Sequence, residues 1–175
     1  MTAAPGSAGG SAVGGRAAAV VESLTASGRS LAIAESLTGG LLTDAIVQVP
    51  GASAVLRAAI VAYSTPLKTT LLGVPEELLA EHGAVHPEVA VRMAQGVREA
   101  TALQGRPADV GVATTGAAGP DPTPVAPVGL VYVAVADAER AHVSEYRFAG
   151  DRAAIRTQAV AAALELLAEH VGARE

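Results

Sequence analysis

An α/β sandwich with a mainly parallel sheet and one antiparallel member is the fold this sequence predicts. Three observations carry that expectation. Short apolar runs alternate with helical periodicity, giving the order α-β-α-β-α-α-α-β-β-β-α. Of the 175 residues, 40 are Ala and only 2% are aromatic, namely Tyr63, Tyr132, Tyr146 and Phe148. A core of Ala, Val, Leu and Ile brings elements close together, which suits helices lying on a parallel sheet. Several strands also end in Gly-rich or polar turns, where α/β folds place their ligands.

Residues 1–15 (MTAAPGSAGGSAVGG) are too small and polar to offset ordering and are expected to form a disordered tail. Arg16 to Ser27 reads as a helix stopped by Gly28. Ser30 to Ala34 is a buried strand, and Leu41 to Val49 a helix ended by Pro50-Gly51. Arg57 to Tyr63 is the second strand. Pro66 to Leu72 and Pro75 to His82 are short helices with Pro in the first turn. Pro87 to Leu103 is the clearest amphipathic helix, with Val89, Met93, Gly96-Val97 and Ala100 on one face. Asp109 to Thr115 is the third strand. The 12-residue loop from Gly116 to Pro127 is long for a connector and is expected to be functional. Val128 to Ala136 and Ala141 to Phe148 form a hairpin. Asp151 to Val171 closes the chain, with Asp151 as its cap. The globular domain is expected over 16–171, with a short tail at 172–175.

Composition removes whole classes of chemistry. With no Cys there is no disulfide, no thiolate nucleophile and no Cys-ligated metal. No apolar run approaches the roughly 18 to 20 residues of a membrane span. No signal-peptide centre is present. A net charge of −5 without a basic run argues against a nucleic-acid surface. The expected setting is cytoplasmic.

Three turns after strands are candidates for chemistry: Glu35 to Gly40, Tyr63 to Lys68 and Thr114 to Pro120. Ser36 lies on the first, before Thr38-Gly39-Gly40 and a helix. Glycines let backbone N–H groups approach a ligand, and a helix N-terminus favours negative charge. A Ser36 or Thr38 in this position ordinarily caps the helix, and Ser36 there also suits a nucleophile. Lys68 is the only Lys beside 11 Arg. Arg cannot lose its proton near neutrality, whereas a desolvated Lys can and then takes a serine proton. A plain surface Lys is the alternative. Tyr63 would orient that amine, stack on a ring, or close the core edge. Thr115, Gly116 and Gly119 would offer backbone donors or simply make a turn. Arg152 and Arg156 are spaced to hold an anion or to pair with Asp151 or Glu145. His82 and His86 are separated by Gly83 and are not expected to share a helical face. With His142 and His170 isolated, no metal site is expected.

Several segments occur in an order that is specific as a set. They include Glu35-Ser36-Leu37-Thr38-Gly39-Gly40, Val49-Pro50-Gly51-Ala52-Ser53, Val61-Ala62-Tyr63-Ser64, Lys68, Thr115-Gly116-Ala117-Ala118-Gly119-Pro120 and Pro127-Val128-Gly129. Together they resemble the CinA C-terminal domain family, whose enzymatic members are nicotinamide-nucleotide amidohydrolases of the PncC type. The resemblance covers about residues 16–171. It implies a three-layer α/β/α sandwich with a mixed, mainly parallel five-stranded sheet. It implies hydrolysis of nicotinamide mononucleotide to nicotinate mononucleotide and ammonia, in pyridine nucleotide salvage. Ser36 would be the nucleophile, Lys68 its base and Tyr63 their neighbour. Backbone N–H groups of Thr38, Gly39 and Gly40 would hold the oxyanion, Thr115, Gly116 and Gly119 would line the nucleotide site, and Arg152 would meet the phosphate. No cofactor or metal is implied, and a homodimer is expected. The companion N-terminal domain of full-length CinA proteins has no counterpart, so a standalone version is expected. A non-catalytic nucleotide-sensing or partner-binding domain, tied to competence or DNA damage, is the alternative. The sequence departs from the family at Leu37, commonly Cys, and at Ala58-Ala59, commonly a Gly pair. His86 stands where Ser is common. The 121–126 loop (DPTPVA) lacks the usual glycines and the usual basic residue before Pro127.

Overall fold

The computed structural model describes residues 8–172. In chain order these are α1 (Ala8–Ala26), β1 (Leu31–Glu35), α2 (Leu41–Val47), β2 (Leu56–Val61), α3 (Thr65–Leu72), α4 (Glu76–His82), α5 (Pro87–Ala100), β3 (Val110–Gly116), β4 (Leu130–Ala136), β5 (Ala141–Arg147) and α6 (Arg152–Gly172), with a 3₁₀ turn at Ala52–Ala54. The five strands form one sheet in the order β2-β1-β3-β4-β5. β1 runs parallel to β2 and β3, and β4 runs antiparallel to both its neighbours. The antiparallel member is therefore β4, the first arm of the expected hairpin.

The Ala-rich composition has an asymmetric use. Leu31, Ile33, Val110, Val112, Val131, Val133 and Val135 face α1, α2 and α6. The alternate positions Ala32, Ala34, Ala113, Ala134 and Ala136 face α5 and the end of α3. Strand side chains alternate between faces, so one layer receives bulk and the other receives methyl groups. The methyl face lets α5 sink close to the sheet. At Gly111 in β3 an added Cβ would lie 2.0 Å from the carbonyl oxygen of Ala94. At Gly96 in α5 it would lie 1.7 Å from the carbonyl oxygen of Leu72. Gly96→Ala is therefore expected to force α3 and α5 apart, at about 2 kcal/mol or more. A thermal melt should show the midpoint falling by roughly 4 °C or more. An unchanged midpoint would contradict this packing.

The expected tail is corrected in part. Helix α1 begins at Ala8, so residues 8–15 are helical, while 1–7 lie outside the described residues. Local propensity is poor in this Gly/Ser-rich stretch, but tertiary packing overrides it. Val13 rests against the core, and Arg16 lies 3.8 Å from Glu165 of α6. At the other end, α6 includes Gly172, and 173–175 lie outside the described residues. The long amphipathic helix stops at Ala100, and Ala100 is exposed rather than on the buried face. Asp151 caps α6 as expected, its carboxylate accepting from the Ala154 N–H at 2.8 Å. No helix among the described residues is long and apolar enough to cross a membrane.

Candidate active site

The carboxyl ends of the three parallel strands β1, β2 and β3 bring three turns together. Ser36 follows β1 directly, and its N–H donates to the Thr114 carbonyl of β3 at 3.0 Å. That bond pins the first turn to the sheet. Lys68 comes from α3, whose start is favoured by Pro66 in its first turn. Its side chain is fully buried, and its Nζ lies 3.2 Å from Ser36 Oγ and 2.8 Å from the Ala62 carbonyl oxygen. Burial removes water from the ammonium and lowers the Lys68 pKa from 10.5 to about 8.

The two groups open on a cavity of about 230 Å³. Tyr63, Thr115, Gly116, Gly119 and Arg152 line it. So do Asp121 and Thr123 from the long loop and Ala84 and Val85 from the α4–α5 connection. Arg152 spans the mouth, donating from Nη1 to the Gly119 carbonyl at 2.7 Å and from Nη2 to the Tyr63 hydroxyl at 2.9 Å. Thr115 donates its hydroxyl to the Ala84 carbonyl at 2.6 Å. A larger groove of about 440 Å³ lies between α1, α2 and α6. Its lining is mostly apolar, with Asp44 as its one ionisable side chain, so it lacks convergent chemistry.

Two expected roles change with the geometry. Tyr63 makes no hydrogen bond to the amine. The Ala62 carbonyl holds Lys68, and the Tyr63 hydroxyl accepts from Arg152 instead. Thr38, Gly39 and Gly40 do not line the cavity. The N-terminus of α2 is already occupied by a carboxylate that the sequence reading passed over. Glu35, wholly buried, accepts from the N–H groups of Gly40 at 2.9 Å, Leu42 at 3.2 Å and Thr43 at 2.9 Å, and from the Thr43 hydroxyl. Neither Ser36 nor Thr38 is the cap, since the Thr38 hydroxyl pairs with that of Thr114 at 2.7 Å. An acid closing an otherwise apolar strand (SLAIAE) was the signal that marked Glu35.

Arg156 takes neither of the two roles its spacing allowed, an anion site or a pairing with Asp151 or Glu145. It donates to the carbonyls of Leu37 at 2.9 Å and Thr38 at 2.8 Å. Arg147 pairs with Glu145 at 2.8 Å, away from the cavity. His86 caps α5, with Nδ1 accepting from the Glu88 N–H at 3.3 Å, and its ring stacks on His82 at 4.3 Å between centroids. The two rings meet across a turn, not along one helix. His170 is buried 2.9 Å from Asp137, which follows β4 at the opposite end of the sheet. Among the described residues no three His, Asp or Glu side chains are grouped to hold a metal ion.

A family profile described as the CinA C-terminal domain matches residues 15–171. A putative competence-damage inducible protein of Caldicellulosiruptor saccharolyticus is 45% identical over 149 residues, covering 85% of this chain and 35% of the relative. A CinA-like protein of Frankia casuarinae is 45% identical over 129 residues, covering 74% of this chain and 29% of the relative. The chain thus spans about a third of the length of these relatives. The crystal structure of the competence/damage inducible protein CihA from Agrobacterium tumefaciens superposes with a TM-score of 0.83 at 33% identity, covering 98% of this chain and 99% of that one. A CinA superfamily protein from Klebsiella pneumoniae gives 0.86 at 30% identity, over 92% and 98% of the two chains. With a profile match across nearly the whole described fold, this chain belongs to the CinA C-terminal domain family.

Proposed function

We propose that the chain is an amidohydrolase that converts nicotinamide mononucleotide to nicotinate mononucleotide and ammonia. The observation that carries this reading is the buried Lys68 amine, 3.2 Å from Ser36 Oγ and titrating at about 8. At neutral pH about one tenth of such an amine is unprotonated, enough for a base. Neutral Lys68 takes the Ser36 proton as Oγ attacks the carboxamide carbon. The oxyanion is met by the N–H of Leu37, the residue after the nucleophile, which lines the cavity where Thr38, Gly39 and Gly40 do not. Protonated Lys68 gives its proton to the departing nitrogen, which leaves as ammonia. Water then attacks the ester on Ser36, with Lys68 again as base, releasing the carboxylate.

Arg152 supplies the specificity for a nucleotide. Its bonds to Gly119 and Tyr63 leave further N–H donors at the cavity mouth for a phosphate. Ammonia release should be compared among nicotinamide mononucleotide, nicotinamide riboside and simple amides. The nucleotide is expected to have the highest kcat/KM. Arg152→Ala should raise KM for the nucleotide about 10-fold or more while leaving the riboside little changed. No ammonia from any of these amides would overturn the reading.

A further inference from the structure

Ser36 lies at the start of a turn whose backbone is intrinsically loose. Two glycines follow it closely, Gly39 at φ +59° and Gly40 at φ +101°. Yet Ser36 Oγ must stay within hydrogen-bond reach of a lysine that is buried in the core and held by the Ala62 carbonyl. What holds the turn is a pair of opposite charges, neither of which lines the cavity. Glu35, at the end of β1, gathers the N–H groups of Gly40, Leu42 and Thr43. Arg156, from α6, gathers the carbonyls of Leu37 and Thr38. The carboxylate thus ties the strand end to the helix start across Ser36, and the guanidinium, from α6 in the same layer as α2, holds two carbonyls of the same turn. The glycine at 39 is part of the fit, since an added Cβ would lie 3.3 Å from Arg156 Nη2.

The choice of residues is informative. An ordinary exposed Ser or Asp would cap α2 at little cost. A wholly buried carboxylate is expensive unless every lone pair is used. Here its two oxygens receive four bonds. Planar guanidinium donation to two successive carbonyls is likewise specific to Arg. We infer that Glu35 and Arg156 are positioning residues that hold Ser36 in register with Lys68. The inference rests on the Ser–Lys reading above and deepens it.

Two readouts test it: kcat and KM for nicotinamide mononucleotide, and the rate at which a fluorophosphonate probe labels Ser36, followed by intact mass. Arg156→Lys, Arg156→Ala and Glu35→Gln should each lower kcat and the labelling rate by about 10- to 100-fold, with KM within a factor of about two. Millimolar guanidinium should restore part of the Arg156→Ala labelling rate, which a general loss of packing would not allow. If Glu35→Gln fails to fold, the two Arg156 variants decide. Folded variants that label and turn over at the wild-type rate would overturn the positioning role while leaving the Ser–Lys reading intact. A wild-type chain that neither labels at Ser36 nor turns over would overturn the Ser–Lys reading, and the positioning role with it.

Discussion

Lys68→Arg is expected to lower kcat for nicotinamide mononucleotide by about 10³-fold or more, because it keeps the charge and removes the base. Arg stays protonated throughout the accessible pH range, so it cannot accept the Ser36 proton. The site itself argues that the amine is kept for this purpose. Lowering the Lys68 pKa from 10.5 to about 8 means that folding works against the charged amine. The folded chain binds fewer protons than the unfolded chain between those two values. Stability therefore rises with pH across that window, and below about 8 the full cost of about 3 kcal/mol stands. A structural role would be met more cheaply by an unbranched apolar side chain such as Met. Ammonia release near the wild-type rate from the purified Lys68→Arg protein would contradict the assignment.

Ser36→Ala is expected to reduce turnover by about 10³- to 10⁶-fold while leaving nucleotide binding intact. Ser36 is almost wholly buried, and its hydroxyl contacts Lys68 rather than the turn that follows it. The capping work is done by Glu35 and the pinning work by the Ser36 N–H, both of which survive the substitution. Calorimetric titration with nicotinate mononucleotide should therefore give a Kd within a few-fold of wild type. Persistent turnover would remove Ser36 from its role, and lost binding would mean that Ser36 shapes the cavity.

Much of the fold was legible because its signals are local. Apolar runs, prolines at helix starts and the Gly-rich turns each mark an element without reference to the rest of the chain. The Ser36 and Lys68 pair was legible for a related reason. A lone Lys among arginines is a compositional signal, and both residues follow predicted strands. What escaped reading depends on distant partners. Arg156 reaches a turn 118 and 119 residues away in sequence. Its spacing from Arg152 suggested a shared anion, yet one side chain points to the cavity mouth and the other behind Ser36. The resemblance put Tyr63 beside Lys68, whereas in the fold Arg152 offers its hydroxyl a charged donor across the cavity. The start of α1 was missed because Gly and Ser predict no helix there, whereas Val13 rests against the core and Arg16 lies near Glu165 of α6.

A neutral Lys68 that activates Ser36 for attack on a carboxamide is the core of the proposed reaction. The most direct measurement is the pH dependence of kcat/KM for ammonia release from nicotinamide mononucleotide, between about pH 6 and 10. Activity should rise with pH through a single limb with its midpoint near the Lys68 value of about 8, then level off. Lys68→Arg should lose that limb along with its activity. A flat profile, a limb that Lys68→Arg retains, or no ammonia at any pH would contradict the account.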